Sequence, residues 1–366
     1  MQLAAPLSGG AYHDALHELR RWQLQADQLS RVSVDAHGTL QFEAETAGPL
    51  RWFAYTGGAL RRVRPQDDRR IPLLDRESGR VAPFSLEVVS YRPGRRIVLT
   101  PADRSDAVVF KGYRKGRGAT AVRNHEMAIR ACKGGGFEVP SLVDYTEERD
   151  VLAMARRPGV SPPVSVGNAP VWQAIGAGLR NFQESCEYTG LDTFTCRDEL
   201  EVLDELARRF ELCDLQLPSS WQDGRDALGK LAGSLPGPCL GAAHRDLHDG
   251  QFLVATDGLN LLDFDLLCRA DVALDPGNLL AHMFLRDLQR DPASALSNAR
   301  ACGNALLSGL GRQGDTGFEQ RVLFYHASTL YRLALVYALR PRWHHLVPSL
   351  VHLGEERLRE AMAYAY

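Results

Sequence analysis

The chain has 366 residues, 45% of them hydrophobic and 24% charged, and a net charge of −2. That is the composition of an ordinary globular protein, long enough for two or three domains. So even a charge balance offers no general grip on nucleic acid or on an anionic membrane. Seven cysteines, widely spaced and without a C-x-x-C pair, argue for reduced thiols and a cytoplasmic protein. The amino terminus M-Q-L-A-A-P-L-S-G-G lacks the basic start and apolar core of a signal, and no apolar run is long enough to span a bilayer.

Residues from about 12 to 30 place Leu16, Leu19, Trp22, Ala26 and Leu29 at spacings of three and four, which predicts an amphipathic helix. The runs V-S-V-D-A-H-G-T-L-Q-F-E-A and P-L-R-W-F-A-Y-T-G-G-A-L-R-R-V then alternate apolar and polar residues around Gly turns, as small antiparallel strands do. This opening segment is either a cap over an entrance or simply a small packed sheet, and its ordinary residues favour the sheet.

From Phe84, the runs F-S-L-E-V-V-S-Y, R-I-V-L-T and A-V-V-F-K-G-Y read as three strands of one antiparallel sheet. Pro93 and Gly94 fit the two central positions of a type II turn between the first two. Arg92, Arg95 and Arg96 crowd that turn, where exposed arginines are as a rule solvated. Lys111 stands out at the end of the third strand, because the chain holds only four lysines and is otherwise basic through Arg. A helical run, A-T-A-V-R-N-H-E-M-A-I-R-A-C, follows and carries Glu126. Two more strands end near Arg156, before the break at Pro158 and Gly159. Helices, including Val171 to Cys186 and Asp198 to Leu212, fill most of 170–235; their acidic residues are interspersed with Arg197, Arg208 and Arg209, as on solvated faces.

The densest chemistry lies in L-G-A-A-H-R-D-L-H-D-G-Q-F-L-V-A-T-D-G-L-N-L-L-D-F-D, Leu240 to Asp265. A polar loop, a short strand, the turn Thr256-Asp257-Gly258 and a second strand would return Asp263 to the side of Asp246 and Gln251. Three oxygen-bearing side chains converging in this way suit a hard cation such as Mg2+, which completes its shell with phosphates and water. A transition-metal site on His244, Asp246 and His248 is the weaker reading, since such sites draw three or more His or Cys and the other histidines are scattered. A plain polar surface loop is the remaining alternative.

H-R-D-L-H-D-G-Q followed by L-D-F-D resembles the catalytic loop and metal-binding segment of the aminoglycoside phosphotransferase and choline kinase family, related in fold to the protein kinases. The resemblance covers about residues 84–340. It implies that Asp246 accepts the proton of the attacking hydroxyl and that Gln251 and Asp263 hold Mg2+. Lys111 would bind nucleotide phosphates, with Glu126 as its ionic partner, and the strand ending at Met154-Ala155-Arg156 would be the lobe connection that holds adenine. Asp275, in A-D-V-A-L-D-P-G-N-L-L-A-H-M-F-L, would cap a helix and brace the catalytic loop, with Leu279, Leu280 and Met283 facing the core. Two features depart from the pattern: Gln251 stands where the family usually has Asn, and the G-x-G-x-x-G phosphate loop is missing. The segment Y-R-P-G-R-R is similar to bacterial members that act on sugars.

The expectation is an α+β protein with a two-lobe protein-kinase-like fold. Residues 1–80 would be a small α/β extension, 81–156 a β-rich nucleotide-binding lobe, and 157–366 a mainly helical catalytic and acceptor-binding lobe with helices at about 294–309, 317–339 and 346–364. The expected reaction is transfer of the γ-phosphoryl group of ATP, with Mg2+, to a hydroxyl of a sugar, amino sugar or aminoglycoside. The alternative is a non-catalytic nucleotide-binding scaffold. No nucleic-acid or membrane partner is expected, and nothing in the sequence sets the oligomeric state.

Overall fold

The computed structural model describes residues 10–45, 51–74, 86–101, 108–291 and 296–364. The first helix, α1 (Gly10–Arg21), is shorter than its apolar spacing predicted. Gln23 turns into the left-handed region at φ 59°, and the chain re-enters as a strand at Leu29. Trp22, expected on the helix's apolar face, is 46% exposed and lies edge-on to Phe53. Strands β1 (Leu29–Val34), β2 (Leu40–Ala44), β3 (Arg51–Thr56) and β4 (Ala59–Val63) then form an antiparallel meander in chain order. Leu40, Phe42 and Ala44 alternate into the core, as a period of two requires.

Strands β5 (Leu86–Arg92), β6 (Arg96–Pro101) and β7 (Val108–Tyr113) are followed by helix α2 (Gly118–Cys132), then β8 (Leu142–Thr146) and β9 (Val151–Ala155). They make a five-stranded antiparallel sheet in the order β5-β6-β7-β9-β8. The expected start at Phe84 and the expected boundary at residue 80 lie outside the described residues. Between β5 and β6 the type II turn forms as expected: Arg95 N–H donates to the Arg92 carbonyl at 2.9 Å, and Gly94 takes φ 68°.

Beyond Gly159 come α3 (Ala169–Ser185), α4 (Cys196–Glu211) and α5 (Ser219–Ala232). Strand β10 (Leu240–Ala243), the hairpin β11 (Phe252–Ala255) and β12 (Gly258–Leu261), and β13 (Cys268–Asp271), which pairs with β10, carry the motif segment. Helices α6 (Leu274–Arg290), α7 (Ser297–Leu310), α8 (Thr316–Ala338) and α9 (Val347–Ala363) complete the fold. Residues 294 and 295, where a helix was expected to begin, lie outside the described residues. Helices α3 and α7 touch backbone to backbone. A Cβ on Gly309 would fall 2.0 Å from the Gln173 carbonyl oxygen, and one on Gly176 would fall 2.1 Å from that of Leu306. Any side chain there would force the helices apart.

One core joins the helices to the N-terminal segment: Tyr12, Leu19, Leu40 and Phe53 share it with Phe210, Leu335 and Leu339. The Tyr12 hydroxyl donates to the Leu339 carbonyl at 2.9 Å. A smaller cluster of Trp52, Ile71, Tyr91, Ile97 and Leu99 ties the same segment to the five-stranded sheet. Asp68 reinforces it by accepting from the Tyr91 hydroxyl at 2.8 Å and from Gly94 N–H at 2.6 Å. Among the described residues no helix is long and apolar enough to cross a membrane.

Candidate active site

Strand β10 delivers the chain to a loop whose backbone is fixed from behind by Asp275, which is fully buried. One carboxylate oxygen accepts from His244 N–H at 2.7 Å and the other from Arg245 N–H at 2.8 Å. Arg245 is thereby held at φ 71°, a left-handed conformation that costs a non-glycine residue about 1–2 kcal/mol. Asp275 lies in the first turn of α6, and Ala273 stands at the cap position. Asp275 therefore braces the loop that holds Asp246, as expected, but does not cap the helix. The His244 ring is fixed as well: Nε2 donates to the Leu262 carbonyl at 2.7 Å, and Nδ1 accepts from Asp246 N–H at 3.3 Å. On the far side, Asn278 donates to the Leu247 carbonyl at 2.9 Å, and Arg286 meets Asp249 at 2.9 Å.

These restraints hold Asp246 half-buried at the wall of a cleft of about 360 Å³ that Arg92, Arg95, Arg96, Asp263 and Asp265 also line. Among the described residues the Asp246 carboxylate has no hydrogen bond or ion pair, so both its oxygens are free to accept. The hairpin of β11 and β12 returns the chain beside this loop, and Leu262 N–H donates to the Gln251 carbonyl at 2.9 Å. Gln251 is buried, its amide 3.3 Å from the His248 ring.

Asp263 follows at φ 63°. Lys111 Nζ lies 2.7 Å from both Asp263 and Asp265, and Arg96 reaches Asp263 at 3.2 Å and Asp265 at 2.6 Å. The Tyr113 hydroxyl adds a 2.8 Å bond to Asp265. Burial alone would raise the Asp263 carboxyl, but Lys111 and then Arg96 outweigh it and hold it well below the ordinary carboxylate range. Two cations thus balance two carboxylates at the mouth of the cleft.

The expected Lys111–Glu126 ion pair does not form. Glu126 is exposed on α2, whose buried face is set by Ala121, Asn124, His125 and Ala128. Two residues along a helix is a rotation of about 200°, so with Asn124 turned to the Phe264 and Leu267 carbonyls, Glu126 points to solvent. Lys111 takes its partners from the metal-motif segment instead.

The sequence model of the phosphotransferase enzyme family matches residues 94–309, more than half of the chain. The chain belongs to this family. Solved structures show that the phosphotransferase has the protein-kinase-like fold of its relatives. A choline kinase from Cryptosporidium parvum Iowa II is 10% identical, with 81% of this chain and 95% of that chain covered at a TM-score of 0.52. A choline kinase from Streptococcus pneumoniae is 13% identical, covering 75% and 93% at 0.51. An aminoglycoside phosphotransferase from Streptomyces rimosus is 15% identical, covering 69% and 95% at 0.50. No curated protein sequence matches the chain.

The donor set of the phosphotransferase fits Mg2+. Asp263, Asp265 and the Gln251 amide offer hard oxygen ligands on adjoining turns, and a magnesium site needs only one or two carboxylates beside phosphate and water. Among the described residues no group of three or more His, Cys, Asp or Glu side chains is placed to hold a metal ion, so phosphate and water would have to complete the shell. Sequence reasoning gave no role to Asp265 or Tyr113, and it read Arg96 as solvated. The signal for Asp265 was present in L-D-F-D, where a second carboxylate follows Asp263 by two residues.

Proposed function

We propose that the chain transfers the γ-phosphoryl group of ATP to a hydroxyl of a small molecule in the sugar, amino sugar or aminoglycoside class. The observation that carries the reading is the unpaired Asp246 carboxylate beside the Lys111, Arg96, Asp263 and Asp265 network, in one cleft beneath the β5–β6 turn. Asp246 takes the hydroxyl proton and orients the oxygen for attack. Lys111 and Arg96 supply positive charge where phosphates enter, in place of a glycine-rich loop. Asp263 and Gln251 would hold Mg2+, which when bound offsets charge on the phosphates. The S. pneumoniae choline kinase has been solved with AMP, which supports the nucleotide part of this reading. The reading also assigns residues 81–156 to nucleotide and 157–366 to catalysis and acceptor, with 1–80 as an extension, in a cytoplasmic protein with free thiols.

The alternative, a nucleotide-binding scaffold without transfer, draws on one observation. Asp263 and Asp265 are already neutralised by Lys111 and Arg96, so a metal must compete for them. ADP release stimulated by an acceptor separates the two. Asp246→Asn should keep ATP binding and lose transfer by about 10²–10⁴-fold, the usual worth of a general base. ATP binding with no acceptor-stimulated turnover across sugars, amino sugars and aminoglycosides would leave only the scaffold.

A further inference from the structure

A second cavity, of about 200 Å³, opens between β1 and β2 of the extension, the β5–β6 turn, and helices α4 and α8. It shares Arg92 and Arg95 with the cleft of Asp246, so the two spaces adjoin at these side chains. Five arginines line it: Arg31, Arg92, Arg95, Arg209 and Arg340. The two carboxylates on its wall take their hydrogen bonds from neutral donors, and neither is ion-paired with a cavity arginine among the described residues. Glu43 accepts from the Ser30 hydroxyl at 2.9 Å and the Trp52 indole at 3.1 Å, and Asp35 accepts the turn amides of His37 and Thr39. Arg209 is paired with Glu205 at 3.0 Å. Arg31, Arg92, Arg95 and Arg340 have no ion pair among the described residues, and buried guanidinium nitrogens of Arg31 and Arg340 lack any hydrogen-bond partner.

We propose that this cavity holds an anionic group of the acceptor, a carboxylate or a phosphate on a sugar-sized molecule, bound by Arg31, Arg92 and Arg340 while its hydroxyl faces Asp246. The proposal rests on the kinase reading and names its substrate class. Gathering like charges in a half-buried space opposes folding; Glu43 acts on Arg340 and Asp35 on Arg95, but five arginines outnumber these two carboxylates, and a bound anion would offset the excess. Burial first, then Arg96 and Arg31, push Arg92 down to about 10, while Asp246 and Asp263 act on it from the cleft side. The guanidinium groups therefore form a string leading from the cavity to the reacting carboxylates. The same field repels a polycationic aminoglycoside or a quaternary amine, and the small volume suits one sugar ring better than several.

The full-length protein is tested with glucose, glucosamine, glucuronate and glucose 6-phosphate, by calorimetric binding and by ADP release with ATP and Mg2+. We expect one of the two anions to bind at least tenfold more tightly than glucose, with glucosamine weakest; which anion wins separates carboxylate from phosphate. Arg31→Gln and Arg340→Gln should each weaken that binding by about ten- to a hundredfold, the worth of a charge-assisted hydrogen bond. ATP affinity should stay unchanged, and the unfolding temperature should stay level or rise, which a merely structural arginine would not give. Competition by inorganic phosphate on the wild-type protein reads the same site without a variant. Glucose or glucosamine binding as tightly as the anions overturns the proposal, as does loss of ATP affinity in place of sugar affinity. ADP release with neutral glucose alone overturns the anion proposal and leaves the kinase reading standing. Anion binding at Arg31 and Arg340 without any ADP release overturns the kinase reading and leaves the cavity's anion preference standing.

Discussion

Replacing Asp275 tests how far the catalytic loop depends on a residue that never meets a substrate. Its two oxygens accept from two adjacent backbone N–H groups, at 2.7 and 2.8 Å, in a fully buried setting. Each is a hydrogen bond to a charged acceptor, worth about 1.5–3 kcal/mol, so Asp275→Ala should cost about 3–6 kcal/mol. That approaches the whole stability of many domains, about 5–15 kcal/mol, and the Ala protein should be recovered poorly. Asp275→Asn is the informative variant. Its amide oxygen keeps one N–H satisfied, while its NH2 faces the other donor to donor, so we expect a loss of about 2–3 kcal/mol in a folded protein. Freed of one bond, Arg245 relaxes from φ 71° and carries Asp246 with it. A displacement of about 1 Å at a reacting group lowers kcat about 10²-fold. Urea unfolding and steady-state kinetics on one preparation measure both effects, with ATP affinity as the control. An Asn protein within 0.5 kcal/mol of wild type, or one destabilised yet fully active, would refute the coupling between brace and base.

Three further outcomes are expected. Lys111→Ala should lower kcat/KM for ATP by about 10²–10³-fold, with Lys111→Arg restoring little because a larger planar guanidinium does not fit the buried place of a compact ammonium; Glu126→Gln should match wild type, and an equal loss there would reinstate the ion pair absent from the structure. In Mg2+ titrations of turnover, Gln251→Ala should raise the half-maximal concentration and Asp263→Ala should be more damaging; if neither titration moves, the metal role of the hairpin fails. His326 is buried and His282 half-buried, and desolvation drives both well below the ordinary histidine value. Below about pH 6.5 the unfolded chain therefore binds protons that the native one refuses, and stability should fall by up to about 1.4 kcal/mol per pH unit for each histidine. Urea midpoints at pH 7.5 and 5.5 measure this, and a flat profile would contradict it.

The motif hairpin was legible because Thr256-Asp257-Gly258 interrupts two apolar runs, and β11 and β12 form on either side of it. Lys111 was legible by its scarcity. Its partners were not, because Asp263 and Asp265 lie 152 and 154 residues away, and no local pattern registers a contact at that separation. Glu126 fitted by order along the chain, yet the rotation of α2 could have been read from Ala121 and Ala128 with Asn124 and His125 between them, which places Glu126 outside. The break in the first helix turns on the backbone of Gln23, an event that apolar periodicity does not record. The cavity of arginines was hidden for a different reason: Arg31, Arg92 and Arg340 come from three distant segments, each unremarkable in its own neighbourhood.

In a two-lobe enzyme joined by a single strand of chain, one lobe can swing and twist about that joint with little restraint. Here the segment of α1 and β1–β4 makes a second attachment, anchored to the helical lobe through Tyr12 and Leu339 and to the sheet lobe through Trp52, Tyr91 and Asp68. A body held at two separated points keeps only the rotation whose axis passes through both. The place of the β5–β6 turn relative to Asp246 is therefore set by how α1 and β1–β4 are seated as well as by the chain that leaves β9.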